Sequence, residues 1–289
     1  MAAAAAVEGP DPVPRGLREL PSQRIIRLPP VAEEVPCVVA EAAAHRAQRT
    51  APYDGHVFRR SQRFYDAIYS FKGYPAEAEM LRAIVRERRP DARTLLDVAC
   101  GTGKHLELLR GDFDVAGVDL DPEMVALARE RLGDEVPLQV GDMAEFDLGR
   151  TFDVVMCLFS SIAYTKTEDR LNSAVANLAR HAARDGLVLV EPWFYPEDWV
   201  PGHVDANFVD RDGLKIARMS LSPPLSDPLT MTFHYLVATT EGVESFTEDH
   251  VVGMFTHQHY VSAFQNAGLA VDHDPEGPMG RGLFIGSSA

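Results

Sequence analysis

The amino-acid sequence predicts an α/β protein in which helices cover both faces of a parallel sheet and a small antiparallel β cap is inserted. Between residues 94 and 191, short apolar segments alternate with segments of helical period, which is typical of parallel strands joined by crossover helices. The first apolar segment runs into a glycine-containing turn. After Trp193 the helical segments stop and strand-like segments follow, which places the cap at about residues 200–256.

Hydrophobic periodicity locates the individual elements. Helices are expected at residues 64–69, 77–88, 105–110, 122–132, 169–183 and 258–267. Strands of the main sheet are expected at residues 94–99, 115–120, 137–140, 152–160, 186–191 and 282–286, and cap strands at residues 206–220, 229–239 and 243–255. Pro122 fits the first turn of its helix, where a missing N–H would have no partner anyway.

The N-terminal part of the chain differs from the rest. Residues 1–55 are rich in Ala and Pro and sustain no long period. We therefore expect a poorly ordered extension with one short helix at residues 35–46. Residues 56–289 are expected to form a single domain that contains the cap.

Composition and charge indicate what kind of molecule the protein binds. The 43 Asp and Glu residues against 28 Lys and Arg give a net charge of −15, whereas proteins that hold a nucleic-acid backbone usually present a basic face. The three cysteines form no Cys-x-x-Cys pair, which predicts free thiols and no zinc site. No apolar stretch reaches the length of about 20 residues that a membrane span needs. A cytoplasmic protein with a small-molecule partner is therefore expected.

The turn after the first strand carries the main functional signal. It reads Asp97-Val98-Ala99-Cys100-Gly101-Thr102-Gly103. Glycine allows the backbone to take a positive φ and to approach a ligand without a Cβ in the way. A dinucleotide-binding turn would contain G-x-G-x-x-G for a pyrophosphate, but here the last glycine is missing and Asp97 lies inside the motif. An acid at this place favours a cationic ligand group, such as the α-amino group of a methionine moiety.

Two further acidic residues follow the next strands. Asp119 lies 18 residues after Gly101, close to the separation of about 20 at which an acid binds ribose hydroxyls. Asp142 follows the third strand. Its carboxylate could accept a hydrogen bond from an adenine amino group, while Met143 packs on the face of the adenine ring. Each residue alone has an ordinary explanation, since Asp119 could cap a helix and Asp142 could belong to a turn. Their order, each at the carboxyl end of a strand, favours a ligand site.

Five segments carry a resemblance to a known family. They are Asp97-Val-Ala-Cys-Gly-Thr-Gly, Gly141-Asp-Met, Phe159-Ser-Ser-Ile, Val190-Glu-Pro-Trp-Phe-Tyr-Pro-Glu and Gly280-Arg-Gly-Leu-Phe-Ile-Gly. With them, the sequence from about Phe64 to the C terminus resembles the deoxyaminosugar N,N-dimethyltransferases. These are class I S-adenosylmethionine-dependent enzymes that act on nucleotide-linked aminosugars in macrolide biosynthesis. Residues 1–55 have no counterpart in that family, and Trp193-Phe194 replaces a more usual Trp-Trp pair.

The resemblance implies a Rossmann-like methyltransferase sheet, S-adenosylmethionine as the cofactor, and double methylation of one nitrogen of a dTDP-linked amino-deoxysugar. It implies that the acids and glycines of the three strand ends hold the cofactor. The complete set of residues expected to bind it is Tyr74, Asp97, Ala99, Gly101, Gly103, Asp119, Leu120, Asp142, Met143 and Leu158.

The chemistry of methyl transfer indicates which side chains to expect near the amine. A neutral amine attacks a cationic donor in line, so alignment and exclusion of water contribute most, and no metal is required. Tyr65, Tyr164 and Glu191 are the candidates for orienting the amine or accepting its proton. The resemblance matches Tyr65 to an active-site tyrosine, and Tyr164 to a position held by histidine or tyrosine. The alternative for Tyr164 is a packed core residue whose hydroxyl is satisfied.

A nucleotide-sugar diphosphate also needs cationic contacts. Arg281 and Arg218 are the candidates, although surface salt bridges would explain either residue. Trp193 could stack on a base or sugar, or pack the cap. The pair His257 and His259, at the start of a helix, is expected to lie at the surface or to cap that helix rather than to bind a metal.

Three other functions remain open on the sequence. They are an N-methyltransferase for glycine or a peptide amine, a nucleic-acid methyltransferase, and a cofactor-binding protein without turnover. A nucleic-acid enzyme usually carries Asn/Asp-Pro-Pro-Tyr/Phe or Pro-Cys after the fourth strand, and residues 156–161 contain no proline. A homodimer is expected by analogy.

Overall fold

The computed structural model describes residues 60–288. The extension expected at residues 1–55, with its short helix at residues 35–46, lies outside the described residues. Residues 60–288 contain two β-sheets, one of seven strands and one of four.

Eleven strands follow one another along the described chain. They are β1 (Thr94–Val98), β2 (Asp114–Asp119), β3 (Leu138–Val140), β4 (Phe152–Cys157), β5 (Ala182–Val190), β6 (Val204–Arg211), β7 (Leu214–Leu221), β8 (Leu229–Thr239), β9 (Gly242–Val252), β10 (Leu269–Asp274) and β11 (Leu283–Ser288). The large sheet has the order β10-β11-β5-β4-β1-β2-β3, and the small sheet has the order β6-β7-β8-β9. The α/β architecture with a separate antiparallel cap sheet is therefore confirmed.

Six α-helices connect and cover these strands. They are α1 (Tyr65–Ile68), α2 (Tyr74–Arg88), α3 (Lys104–Leu109), α4 (Pro122–Leu132), α5 (Glu168–His181) and α6 (His257–Asn266). The Asp121 side chain caps α4 by accepting a hydrogen bond of 2.8 Å from the N–H of Glu123. Thr256 and His259 form a capping box at the start of α6, which confirms the capping interpretation of His259.

Both faces of the large sheet are buried. Leu96 and Val155 face one apolar cluster, which contains residues of α5 and α6. Leu95 and Val154 face a second cluster, which contains residues of α2 and α3. This alternation follows from the period of two along a strand. Burial on both faces explains why these strands are continuous apolar runs in the sequence.

One edge of the large sheet differs from the purely parallel arrangement that the sequence indicated. Strands β1 to β5 pair in parallel, but β11 runs antiparallel to both β5 and β10. The sequence pattern missed β10 altogether. Only the loop at residues 275–282 joins β10 to β11, and a connection without a crossover helix requires antiparallel pairing.

The cap sheet packs on α1 through its inner face. Ile216 and Val237 of the sheet belong to one buried cluster with Ile68 of α1. The single strand expected at residues 206–220 is in fact the hairpin of β6 and β7. It turns at Gly213, which has a φ of 73°, and the Asp212-Gly213 pair is a hairpin signal that the apolar alternation on both sides obscured.

Other sequence expectations concern membranes and cysteines. No helix within residues 60–288 is long and apolar enough to cross a membrane. Cys100 and Cys157 are buried free thiols, as the apolar segments around them predicted.

Candidate active site

The glycine-containing turn between β1 and α3 borders a cleft at the carboxyl edge of the large sheet. Ala99, Gly101 and Gly103 have positive φ values of 62°, 54° and 75°. A Cβ built on Gly101 meets no atom within 4 Å, so it would point into the cleft that Gly101 lines. A Cβ on Gly103 would lie 2.9 Å from Cδ1 of Leu132. Gly103 therefore allows α3 to pack against α4. The sequence predicted that Gly103 binds the cofactor, but Gly103 does not line the cleft.

The cleft has a volume of about 780 Å³ and opens to solvent. A smaller cavity of about 360 Å³ continues from it, with Tyr65 and Ala99 bordering both. The sequence-predicted residues along the two spaces are Tyr65, Tyr74, Asp97, Ala99, Gly101, Asp119, Leu120, Asp142, Met143, Leu158 and Tyr164. The fold thus brings together all the expected cofactor residues except Gly103.

Asp119 ends β2 beside the glycine turn. Its Oδ2 accepts a hydrogen bond of 2.7 Å from the N–H of Gly101, and its Oδ1 accepts one of 2.9 Å from the N–H of Asp121. Burial raises the pKa of Asp119 to about 6, although these backbone hydrogen bonds lower it. A carboxylate has about four lone-pair sites, so Asp119 keeps capacity to accept from a ligand hydroxyl.

Asp97 is buried next to the smaller cavity. It is 2% exposed, and its Oδ2 has no hydrogen-bond partner among residues 60–288. Burial raises the pKa of Asp97 well above its ordinary value, and the negative charge of Asp119 raises it further. A cationic ligand group would supply the missing hydrogen bond and favour the ionised carboxylate.

Asp142 follows β3 and faces α5 across the cleft. Its Oδ1 accepts a hydrogen bond of 2.9 Å from the N–H of Ala144, and its Oδ2 accepts one of 2.6 Å from the guanidinium of Arg170. Arg170 lines the cleft although nothing in the sequence singled it out. Its position depends on how α5 packs against the sheet, which local periodicity does not specify.

Two tyrosines near the start of the described chain border the smaller cavity, and Tyr65 also borders the cleft. Burial raises the pKa of Tyr65 well above its ordinary value, and burial also raises the pKa of Tyr74. Both hydroxyls therefore stay protonated at neutral pH. A raised pKa disfavours Tyr65 as a tyrosinate base, and its part in orienting the amine stays a prediction.

Tyr164 connects the cleft to the cap sheet. It lies on the 3₁₀ turn Ser161–Thr165 after β4 and lines the cleft. Its hydroxyl oxygen is 2.7 Å from Nδ1 of His250 on β9. Nε2 of His250 is 4.0 Å from Oε2 of Glu248 on the same strand. Sequence reasoning missed both His250 and Glu248, which become part of the site only through this cross-sheet contact.

Glu191 follows β5 and is completely buried. Its Oε2 accepts a hydrogen bond of 2.7 Å from the N–H of Phe159, and its Oε1 accepts one of 2.9 Å from the guanidinium of Arg281. The expectation that Glu191 acts on the amine is therefore corrected. Because both oxygens have donors and no part of the side chain is exposed, Glu191 positions Phe159 and Arg281 instead.

Arg281 lies among aromatic rings. Its Cζ is 5.8, 5.7 and 5.6 Å from the ring centroids of Phe159, Trp193 and Phe194. The side chain is 12% exposed, and its Nε has no hydrogen-bond partner in the described part of the chain. The ion pair with Glu191 is therefore buried. It is not the surface salt bridge that the sequence left open as an alternative explanation for Arg281.

Arg218 of the cap sheet lies beside two other aromatic rings. It is 7% exposed, and its Cζ is 5.1 Å from the ring centroids of both Tyr69 and Phe233. Its Nε lacks a hydrogen-bond partner within residues 60–288. The rings of Tyr69 and Phe159 are 5.1 Å apart. Two buried arginines thus flank one aromatic pair. The guanidinium of Arg218 also lies 3.9 Å from the carboxylate of Asp205, whose side chain is 55% exposed, so Arg218 has both a salt bridge of the kind that the sequence suggested and a buried position beside the rings.

Trp193 packs against the cap. It contacts a buried cluster that includes Met231 and Met254, and its ring is 4.9 Å from that of Phe194. Of the two roles that the sequence left open, packing of the cap is the one that these contacts support.

Comparisons with known proteins agree with this geometry. A family model for a methyltransferase domain matches residues 95–186. A dTDP-3-amino-3,4,6-trideoxy-alpha-D-glucopyranose N,N-dimethyltransferase of Streptomyces venezuelae is 44% identical over 229 residues, which are 78% of this chain and 96% of that protein. A dTDP-4-amino-2,3,4,6-tetradeoxy-D-glucose N,N-dimethyltransferase of Saccharopolyspora spinosa is 41% identical over 225 residues, 77% of this chain and 90% of that protein.

A solved structure extends the comparison to three dimensions. CalS10, an amino pentose methyltransferase from Micromonospora echinaspora solved with bound S-adenosylmethionine, is 36% identical, with a TM-score of 0.72. The match covers 82% of this chain and 100% of that chain. This chain belongs to the dTDP-aminosugar N,N-dimethyltransferases.

The aminosugar methyltransferase relatives cover more of the chain than the general methyltransferase model does. That model ends at residue 186, and so it includes Asp97, Asp119 and Asp142 but neither arginine. The matches to the relatives cover 78% and 77% of this chain, and so extend beyond that model.

A buried ionic group of this aminosugar methyltransferase also escaped sequence reasoning. Lys72 pairs with Glu77, and the same carboxylate lies 2.8 Å from Nε2 of His105. Burial lowers the pKa of Lys72, and its Nζ is 4.7 Å from the ring centroids of Tyr74 and Phe159. Because Tyr74, His105 and Phe159 line the smaller cavity, this group stiffens its wall. Lys72 stands between Phe71 and Gly73, a context typical of an exposed loop, so the sequence held no signal for it.

Proposed function

We propose that this chain transfers methyl groups from S-adenosylmethionine to the amino group of a dTDP-linked deoxyaminosugar, twice on the same nitrogen, in the biosynthesis of an antibiotic or related metabolite. The observation that carries the proposal is the charge distribution across the site. The acidic side is the cleft, where Tyr65 lies with Asp119 and Asp142. The basic side is formed by the buried Arg218 and Arg281, whose Cζ atoms are 5.1 and 5.8 Å from the ring centroids of Tyr69 and Phe159.

The acidic side suits the cofactor. S-adenosylmethionine supplies an electrophilic methyl group on a positively charged sulfur. Asp97, with its unpartnered Oδ2, would pair with the amino group of the methionine moiety. Asp119 would accept from the ribose hydroxyls, and Asp142 with Met143 would hold the adenine. The open space beside Gly101 supports this assignment, because a Cβ there would occupy the volume of the ligand.

The basic side suits a diphosphate. The Nε groups of Arg218 and Arg281 have no partner among residues 60–288, and buried donors without partners are costly unless a ligand satisfies them. Guanidinium groups bind phosphate oxygens in pairs of parallel hydrogen bonds. With the diphosphate held there, Tyr65 and Tyr164 are placed to orient the amine.

Methylation of glycine or a peptide amine is the second candidate. It would use the acidic side in the same way, but it would leave both buried arginines without a ligand. The two arginines therefore favour a nucleotide-linked substrate. The relatives also differ in whether their substrates carry the nitrogen at carbon 3 or carbon 4, so the proposal names the class of sugar and not the ring position.

A thermal-shift experiment tests the proposal. The protein is saturated with S-adenosylhomocysteine, and dTDP, dTDP-glucose, glycine and a short peptide are added separately. A ligand that binds only the folded state raises the Tm. A further rise with dTDP and dTDP-glucose alone is expected, and mass spectrometry of a dTDP-aminosugar reaction should show one and then two added methyl groups. A rise with glycine or peptide but not with dTDP would refute the nucleotide-sugar assignment.

We also propose that the protein is a homodimer. The outer face of the cap sheet carries exposed apolar side chains, namely Val204, Phe208, Met219, Leu221, Leu236 and Val243. An apolar face of this kind is typical of an interface. Sedimentation of the wild type is expected to give a dimer and that of Phe208→Lys a monomer. A wild-type monomer would contradict this proposal without affecting the catalytic one.

A further inference from the structure

A chain of buried polar groups leads from the cleft into the cap sheet. The Tyr164 hydroxyl oxygen, at the cleft, is 2.7 Å from Nδ1 of His250, and Nε2 of His250 is 4.0 Å from Oε2 of Glu248. His250 is 5% exposed and Glu248 is 6% exposed. A hydroxyl, an imidazole and a carboxylate in this order form the arrangement that enzymes use to move a proton.

The far end of this chain is fixed by backbone and side-chain donors. Oε1 of Glu248 accepts hydrogen bonds of 2.7 Å from the N–H of Arg60 and of 3.0 Å from the N–H of Ser61. Oε2 accepts one of 2.5 Å from the Ser61 hydroxyl. Burial alone would raise the pKa of Glu248, but the nearby imidazole of His250 and the hydrogen bonds from Ser61 and Arg60 lower it below its ordinary value. Glu248 is therefore an anion at neutral pH.

The imidazole of His250 is held in one orientation. Glu248 and His250 are two positions apart on β9 and share the inner face of the sheet. The Phe233 ring meets the His250 ring edge-on at 4.8 Å, and Cζ of Arg218 is 5.1 Å from the centroid of the Phe233 ring. Tyr164, Glu248 and Phe233 therefore border the His250 imidazole, and the charge of Arg218 lies next to Phe233.

The anion selects the tautomer of His250. A carboxylate on the Nε2 side favours the proton on Nε2, which leaves the Nδ1 lone pair to accept from the Tyr164 O–H. The Tyr164 oxygen then keeps its own lone pairs, which can accept from a ligand in the cleft. Without the contact to His250, the Tyr164 hydroxyl could equally donate a hydrogen bond to the amine. That bond would occupy the lone pair with which the amine nitrogen attacks.

We propose that His250 is a positioning residue that acts through Tyr164 to take the proton of the substrate amine. The inference rests on the proposed function. A proton of the ammonium group moves to the Tyr164 oxygen while the hydroxyl proton of Tyr164 moves to Nδ1 of His250. The N–H electron pair stays on the substrate nitrogen as its lone pair, and the imidazolium is stabilised by Glu248. After the product leaves, the proton returns through Tyr164 to water.

The need for such a path follows from the substrate class. Aliphatic amines have pKa values of about 8 to 10 in water, so an aminosugar is mostly protonated at neutral pH. Only the neutral amine can attack, and each transfer creates a new ammonium group. Two transfers to one nitrogen therefore require the site to remove a proton repeatedly.

The substitution His250→Asn separates the two functions proposed for His250, which are accepting a hydrogen bond from Tyr164 and taking up a proton. The asparagine Oδ1 can still accept from the Tyr164 hydroxyl, but it cannot bind a proton as imidazole does. We expect kcat at neutral pH to fall by about a hundredfold or more, and to recover as the pH is raised to the pKa of the amine. The monomethylated product should accumulate, and the affinity for S-adenosylhomocysteine should stay unchanged.

The matched control is His234→Asn. His234 lies on β8 in the same sheet, but its side chain is exposed on the outer face. The same substitution there is expected to leave kcat and its pH dependence as in the wild type. A loss in His250→Asn that is equal at every pH, or no loss at all, would overturn the relay.

A measurement without substrate keeps the inference separate from the proposed function. Nitrogen-15 NMR of the histidine rings in the ligand-free wild type is expected to show His250 with its proton on Nε2, and Glu248→Gln should shift part of the population to Nδ1–H. Protonation of Nδ1 alone in the wild type would overturn the inference. If the wild type methylates no dTDP-aminosugar, the proposed function fails, while the NMR result still decides the relay geometry.

Discussion

Oε1 of Glu191 accepts a hydrogen bond of 2.9 Å from the guanidinium of Arg281, 90 residues further along the chain. The pair joins the end of β5 to the loop before β11. The Glu191 side chain is completely buried and that of Arg281 is 12% exposed. Solvent therefore screens the pair weakly, and each partner depends on the other.

The first prediction concerns the stability that this pair provides. Arg281→Met leaves a buried carboxylate without its cation, which costs about 3–5 kcal/mol of the free energy of unfolding. The double variant Glu191→Gln/Arg281→Met removes both charges and should recover part of that loss. Chemical denaturation of the single and double variants measures the coupling. Strictly additive effects would show that the pair is not an energetic unit.

The second prediction uses the double variant to isolate the substrate role of Arg281. Because the variant has no unpaired buried charge, its kinetics report on the lost guanidinium. We expect the KM for the dTDP-aminosugar to rise by about tenfold or more, as for the loss of a charge-assisted hydrogen bond. Cofactor affinity, measured by calorimetry, should stay as in the wild type. Loss of cofactor binding would move Arg281 out of the substrate region.

The third prediction compares the two glycines of the turn. Both have positive φ, so alanine at either position costs about 1–2 kcal/mol of backbone strain. Gly103→Ala should be the less stable variant, because its Cβ would meet Leu132 at 2.9 Å, but it should still bind S-adenosylhomocysteine. Gly101→Ala should fold and lose that binding. Thermal shifts with and without S-adenosylhomocysteine distinguish the two variants. If Gly103→Ala lost binding and Gly101→Ala kept it, Gly103 and not Gly101 would be the glycine that the ligand approaches.

The fourth prediction concerns pH. The pKa of Asp97 is raised in the folded state, so its stabilising contribution is present below its ordinary pKa of about 4 and is lost as the pH rises. The ligand-free wild type should therefore lose stability relative to Asp97→Asn as the pH rises above about 4. Asp97→Asn should also bind S-adenosylhomocysteine more weakly. Parallel plots of Tm against pH for the two proteins would contradict the assignment.

The fifth prediction concerns ribose recognition. Asp119→Ala removes the carboxylate that would accept hydrogen bonds from the ribose hydroxyls. This should weaken S-adenosylhomocysteine binding by about 10- to 100-fold. Asp114→Ala is the matched control, because Asp114 lies exposed at the opposite end of the same strand. Calorimetry on both variants tests this, and unchanged affinity in Asp119→Ala would exclude the ribose role.

Local order along the chain explains which parts of the site were predictable. Asp97, Asp119 and Asp142 each follow a strand that hydrophobic periodicity identifies, and parallel strands bring their carboxyl ends to one edge. The helix of residues 122–132 matched its predicted bounds because Asp121 and Pro122 provide local start signals. The strand at residues 269–274 was missed, since half-exposed edge strands lack a continuous apolar run.

The sequence by itself determined the α/β class, the acidic cofactor edge and the family, because these depend on periodicity and on motifs of adjacent residues. Only the tertiary structure decided the partners of Glu191, Arg281 and Tyr164. Arg281 meets Glu191 and Tyr164 meets His250 across 90 and 86 residues of chain. They do so only when β11 has paired with β5 and the cap sheet has packed on the large sheet. Burial then turns residues that could have been surface groups into paired charges and oriented hydroxyls, since an ionic or polar group removed from water must find its partner within the protein or in a ligand.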